Sequence, residues 1–80
     1  MKHLFIPLKK EYFLAFENHE KTTEYRQYGP RWNEGTVYAG RSVTLCLGYN
    51  GRQLTAIVLG MRKIKNNITD ISLIIKLLNT

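Results

Sequence analysis

The side chains best suited to chemistry lie in one stretch of the first half of the chain, residues 19–28, HEKTTEYRQY. Lys21, Glu24 and Arg26 place an amine, a carboxylate and a guanidinium within this stretch. Lysine and arginine bind phosphates and carboxylates, and a carboxylate accepts hydrogen bonds from amino groups or orients a neighbouring cation. The three residues therefore suit either a site for a polar or anionic ligand or a lysine–acid pair for hydrolysis.

A strand is the predicted carrier of these residues, because threonine and tyrosine, which are frequent between 21 and 28, favour extended backbone. Side chains alternate between the two faces of a strand, so Glu24 and Arg26 share one face at a spacing of about 7 Å. That face also includes Thr22 and Tyr28, and the other face includes Thr23, Tyr25 and Gln27. Lys21 joins Glu24 only if the chain turns at Lys21–Thr22.

A second candidate group follows in the segment 28–35, YGPRWNEG, which we predict to be a turn or a single helical turn beginning at Pro30. Tyr28, Arg31 and Trp32 combine two aromatic rings with a cation, which suits base stacking and phosphate binding. For Trp32 a structural role is an equal alternative, because a buried tryptophan would fill one end of a barrel.

The elements before this site are predicted to be a short strand and a helix. Leu4–Leu8 is a short apolar run that we interpret as a strand ending at Pro7. Between residues 9 and 18 the apolar period becomes helical, with Tyr12, Phe13 and Phe16 on one face that packs on the core. Asn18–His19 ends this helix, and His19 is assigned a structural role.

The second half of the chain is predicted to be mainly strands. We expect a short strand at 36–38, a strand at 42–49 and a returning strand at 52–63, joined by a type I′ turn at Asn50–Gly51. The run 56–59 is apolar on both faces, which indicates a central strand, and Gly60 marks a bulge. Asn66–Asn67 is predicted to be a turn. The run 71–78 fits both a helix and a buried strand, and we predict a strand.

These elements predict one domain spanning residues 1–80, of mostly β (α+β) class. Five or six strands in so short a chain leave exposed edges unless the sheet curls and closes, so we expect a small β-barrel with one covering helix.

Composition favours an anionic partner. Twelve lysines and arginines oppose six acidic residues, a net charge of +6, which suits nucleic acid, nucleotides or an acidic protein surface. The two histidines lack neighbouring ligands at metal-binding spacing, so no metal and no cofactor is expected. Cys46 is the one cysteine and is predicted to lie in the core.

A cytoplasmic setting is the simplest expectation. The apolar run after Met1-Lys2-His3 is too short for a secretory leader and is broken at Pro7. No apolar run approaches the roughly 20 residues that span a bilayer, and a single cysteine cannot form an intrachain disulfide.

The stretch 19–26, HEKTTEYR, resembles the ASCH domain family, whose motif is G-x-K-x-x-E-x-R. Lys21, Glu24 and Arg26 match, and His19 stands at the glycine position, where helix turns into strand. The order of elements is similar over nearly the whole chain, and the YGPRWNE stretch resembles that of small phage and bacterial members. The resemblance implies a PUA-like β-barrel whose motif residues line a cleft beside the helix, with RNA or a modified nucleoside as ligand.

Three functions remain open. In a binding module, Lys21 and Arg26 hold a phosphate or base edge, Glu24 accepts from an exocyclic amine, and Trp32 or Tyr28 stacks a base. The resemblance also implies hydrolases, because one branch deacetylates N4-acetylcytidine and other members are reported as ribonucleases. In the third reading the three motif residues form a surface ion-pair set of small energetic value.

In the hydrolase, Lys21 and Glu24 would be the catalytic lysine and base, and Arg26 would stabilise the oxyanion. The sequence departs from the deacetylating branch at two points. That branch has threonine at the position of Glu24, and it uses a glutamate from its later half, whereas Asp70 is the only acidic residue here after Glu34.

Overall fold

A computed structural model describes residues 3–65 and 69–78 of the chain. The elements follow in the order β1 Leu4–Leu8, α1 Lys10–Glu17, β2 Thr23–Gln27, β3 Ser42–Leu47, β4 Gln53–Lys65 and β5 Thr69–Leu77. The five strands form a single sheet in the order β1-β3-β4-β5-β2. β1 pairs with β3 in parallel and the other neighbours are antiparallel.

The sheet curls into a half-barrel around a small core, which confirms the predicted mostly β, barrel-like fold with one helix. The core residues come from every strand except β2, from the inner face of α1 and, at Val37, from the loop between β2 and β3; the largest fully buried side chains are Phe13, Phe16, Ile6, Leu45, Ile71 and Leu73. Cys46 is also buried, as predicted. Within the part of the chain that the structure describes, no helix has the length and apolar character needed to cross a bilayer.

The helix contributes a narrower apolar face than the sequence predicts. Phe13 and Phe16 are buried, but Tyr12 is 46% exposed, so its predicted place in the core is wrong. Tyr12 adjoins Phe13 on the helix, and the 100° step between neighbours turns its ring toward the helix edge. The helix ends as expected at Asn18, whose amide donates to the Leu14 carbonyl. His19 then takes a left-handed conformation with φ 62°.

The strands of the second half agree with the prediction in their order and differ in their ends. β4 is central in the sheet, and the register between β4 and β5 shifts between Val58 and Gly60, which places the predicted bulge at Leu59. The ambiguous C-terminal run is strand, β5. β1 continues past Pro7 to Leu8, and proline is tolerated there because β1 is an edge strand.

Of three local predictions for the loops, one is wrong, one is confirmed and one is untested. Residues 36–38 form a turn and not a strand, because the Asn33 carbonyl accepts hydrogen bonds from the amides of Thr36 and Val37. Residues 29–35 form bends and turns, as predicted. The predicted turn at Asn66–Asn67 lies outside the described residues.

The β3–β4 hairpin exists, but its turn is not the predicted two-residue type I′. The last hydrogen bond of the hairpin runs from the Leu47 amide to the Arg52 carbonyl, so four residues form the loop. The left-handed residue is Gly48, with φ 65°, and neither Asn50 nor Gly51 has a positive φ. Gly51 is required for another reason: its amide donates to the Leu47 carbonyl, and a Cβ at Gly51 would collide with that oxygen.

Gly51→Ala is therefore expected to destabilise the protein by more than about 1 kcal/mol, because the loop must open to admit the methyl group. The free energy of unfolding from urea titration measures this. Gly29→Ala is the matched control, because no atom lies within 4 Å of a Cβ there. Equal stability of the two variants would contradict the tight loop.

Candidate functional site

Glu24 is the centre of the candidate site. It is 8% exposed and is the one charged residue that is buried within the described ranges 3–65 and 69–78. Arg26 donates from Nε to Glu24 Oε2 at 3.0 Å, and its Nη2 lies 2.9 Å from the same oxygen. Lys21 Nζ lies 4.0 Å from Glu24 Oε1. The two cationic head groups that the sequence singles out thus converge on the third, the carboxylate of Glu24.

The backbone explains how Lys21 reaches Glu24. The left-handed His19 reverses the chain after α1, and the amides of Glu20 and Lys21 both donate to the Ala15 carbonyl, at 2.8 and 3.1 Å. Lys21 lies before the first residue of β2, so the alternation of the strand does not apply to it. The chain therefore turns at residues 18–20, earlier than the turn at Lys21–Thr22 on which the prediction depended.

Arg26 also joins the two edges of the curled sheet. Its Nη2 donates to the Pro7 carbonyl at 3.0 Å. Pro7 lies in β1 and Arg26 in β2, the first and last strands in the sheet order. The bond uses the Pro7 carbonyl, the one main-chain hydrogen-bonding group that proline retains.

Lys21 is surrounded by aromatic rings. Its Nζ lies 5.5 Å from the ring centres of Tyr12 and Tyr25 and 5.6 Å from that of Phe16. Such contacts hold an ammonium in place by electrostatic attraction to the ring faces. The side chain remains 22% exposed. Lys21 is therefore a positioned cation that still reaches solvent.

Two cavities adjoin Lys21. One of about 250 Å³ is lined by Tyr12, Lys21, Glu24 and Tyr25, and this is the cleft between α1 and β2. The other, of about 380 Å³, is mainly apolar and lies beside His19, with Leu59, Ile74 and Leu77 among its walls. The carboxylate and the ammonium therefore face a concave surface.

Trp32 contacts both the core and two cations. Its ring is half-buried and packs against the core. The Cζ atoms of Arg26 and Arg31 lie 4.9 and 5.7 Å from the ring centre. Arg31 is exposed, so the ring lies between the partly buried guanidinium of Arg26 and a cation in solvent.

Tyr28 belongs to a different cluster, which the sequence analysis missed. Its hydroxyl donates to Glu34, which also pairs with Lys63, and Lys63 Nζ lies 5.0 Å from the Tyr28 ring centre. The Lys63 and Tyr28 hydrogen bonds lower the pKa of Glu34 to about 2, and the Glu34 carboxylate raises the pKa of Tyr28. Lys63 lies 35 residues from Tyr28, so no local spacing signals this contact.

The described residues contain no group of three or more His, Cys, Asp or Glu able to hold a metal ion. Comparison with known proteins adds no identification: no family model matches the sequence, and no curated protein matches it. The likeness to the ASCH family thus rests on the motif residues and their surroundings.

Glu24→Gln is expected to reduce the free energy of unfolding by about 1–3 kcal/mol, because it removes a charged acceptor from a partly buried guanidinium. Urea denaturation measures the change. Glu17→Gln is the matched control. Glu17 pairs with Arg52 at the surface, so its loss should reduce the free energy of unfolding by less. A loss as large in the control would contradict the central place of Glu24.

Lys63→Gln is expected to raise the pKa of Glu34 from about 2 toward its ordinary value near 4.5, because the main hydrogen bond to the carboxylate is lost. Because the pKa of Glu34 is lower in the folded than in the unfolded protein, its ionised carboxylate stabilises the fold at pH values above about 4.5. This stabilisation is lost as the pH falls from about 4.5 to about 2. Carboxyl carbon NMR titration measures the pKa. Lys76→Gln, which removes the same charge elsewhere, should leave it unchanged.

Proposed function

We propose that the protein binds RNA or a nucleotide through the cations gathered around Glu24. The observation that carries this proposal is the convergence of Lys21 and Arg26 on one buried carboxylate beside a cavity, with Arg31 close by. Two cations face one acid, and Arg31 lies on the same Trp32 ring as Arg26, so the contacts of the group hold more positive than negative charge. Such an excess attracts phosphate.

Each residue has a distinct role in this proposal. Glu24 orients Arg26 through its Nε and Nη2 donors, Nη2 also donates to the Pro7 carbonyl, and the Nη1 donors are the ones offered to a ligand. Lys21 offers its ammonium to a phosphate, since at 4.0 Å from Glu24 it is attracted to the carboxylate but is not hydrogen-bonded to it. Arg31 adds an exposed cation at the rim.

The backbone at His19 supports membership of the ASCH family. His19 stands at the glycine position of the resembling motif, and its φ of 62° is a conformation that glycine adopts without strain. A positive φ at that position is what the turn from helix to strand requires. The family proposal therefore fits a local geometry as well as the residue types.

Hydrolysis has less support than binding. Asp70, the one acidic residue after Glu34, lies directly opposite Gln27 in the pairing of β2 with β5. Opposite residues of an antiparallel pair share a face, and Gln27 alternates with Arg26. Asp70 therefore lies on the other face of the sheet from Glu24 and does not supply a second carboxylate to the site.

Lys21→Ala is expected to weaken binding of single-stranded RNA and to reduce the slope of log affinity against log salt by about 1, because one phosphate contact is lost. Fluorescence anisotropy with a labelled oligonucleotide at low and moderate salt measures both. Arg62→Ala is the charge-matched control, since Arg62 lies beside Tyr25 and Ser72 on the outer surface of the sheet.

Absence of binding by the unmodified protein at both salt concentrations would refute the proposal. If Lys21→Ala and Arg62→Ala weaken RNA binding equally, the binding depends on the overall charge of the protein and not on a site at Lys21. Release of cytidine from N4-acetylcytidine, or cleavage of the RNA, that disappears in Lys21→Ala would favour the hydrolase instead.

A further inference from the structure

The predicted stacking residues do not present open rings. Lys63 covers the Tyr28 ring, and the Tyr28 hydroxyl is bonded to Glu34. Trp32 is half-buried, with guanidinium groups of Arg26 and Arg31 against its ring. A base that stacked on the covered face of either ring would have to displace a cation. An aromatic ring that stacks a base in this site must therefore belong to another residue.

Tyr49 is an aromatic residue that does present an open ring. It lies in the β3–β4 hairpin loop and is 76% exposed, the highest value among the large hydrophobic side chains of the described residues. It lines a cavity of about 310 Å³ together with Lys9 and Arg26. The remaining walls are Pro7, Leu8 and Gly48. An exposed ring and two cations therefore share one concavity.

The backbone holds this loop against the site. The Gly48 amide donates to the Leu8 carbonyl at 2.9 Å, which ties the loop to the end of β1. Gly48 has φ 65°, and the Gly51 amide donates to the Leu47 carbonyl at 3.0 Å. The base of the Tyr49 loop is thus fixed on both sides, which lowers the entropy lost when a ligand stacks on the ring.

We infer, on the basis of the proposed function, that Tyr49 stacks a nucleobase whose phosphate lies between Lys9 and Arg26. Arg26 belongs to this cavity and also contacts Glu24 and Trp32. One guanidinium shared by two neighbouring parts of the surface suits a phosphodiester that links two nucleotides. The ligand class is therefore a single-stranded oligonucleotide and not a free nucleoside.

Tyr49→Ala is expected to weaken binding of a labelled single-stranded RNA by roughly 5- to 150-fold, the effect of losing one stacked base. Tyr49→Phe keeps the ring and should bind within about twofold of the unmodified protein, since stacking does not need the hydroxyl. Tyr38→Ala removes a partly exposed tyrosine outside this cavity and is the control. Circular dichroism verifies that each variant is folded.

Lys9→Ala is expected to reduce the salt slope by about 1, whereas Arg62→Ala, with the same loss of charge, should leave it unchanged. Competition with adenosine monophosphate and with an adenine trinucleotide tests the ligand class: the trinucleotide should compete more strongly, and Tyr49→Ala should reduce that advantage.

The outcomes separate the inference from the proposed function. Tyr49→Ala binding like the unmodified protein, while Lys21→Ala binds weakly, would overturn the Tyr49 site and leave the proposed function standing. Equal competition by mono- and trinucleotide would overturn the ligand class. No RNA binding by the unmodified protein would overturn both.

Discussion

The contact between Arg26 and Glu24 is the interaction on which the rest of the structure depends. A carboxylate that is 8% exposed is costly unless it is paired and hydrogen-bonded, and Arg26 provides both. The same guanidinium donates to the Pro7 carbonyl and so connects the two edge strands of the curled sheet. One ion pair therefore stabilises a buried charge and joins β1 to β2 where no ladder of backbone hydrogen bonds does so in the described strands.

The distribution of charge follows from this pairing. Arg26 forms an ion pair with Glu24, and two other acidic residues form ion pairs at the surface, Glu17 with Arg52 and Glu34 with Lys63. Lys21 is held mainly by aromatic rings. In the contacts of the motif, two cations thus oppose one acid. The electrostatic basis of the proposed RNA binding is this local excess, and not the total charge alone.

The spacing of apolar and polar residues and the presence of turn-forming residues predicted the parts of the structure that depend on local sequence. The alternation from Thr22 to Tyr28 placed Glu24 and Arg26 on one face, and the double-sided apolar run at 56–59 indicated the central strand. Contacts between distant residues were not predictable: Arg26 with Pro7, and Lys63 with Glu34. The hairpin loop was mispredicted because Asn50–Gly51 favours a two-residue turn, while the pairing of Leu47 with Arg52 leaves four residues to connect.

The Pro7–Arg26 hydrogen bond makes the width of the gap between β1 and β2 sensitive to what Arg26 binds. A side chain joins these strands, so they are able to separate without breaking the pairing of β1 with β3 or of β2 with β5. A phosphate bound to the Nη1 donors of Arg26, as proposed, would pull on the same guanidinium that donates from Nη2 to the Pro7 carbonyl. The free energy of ligand binding and the free energy of closing the gap between β1 and β2 are then coupled, so that tighter binding at Arg26 weakens the link between these two strands.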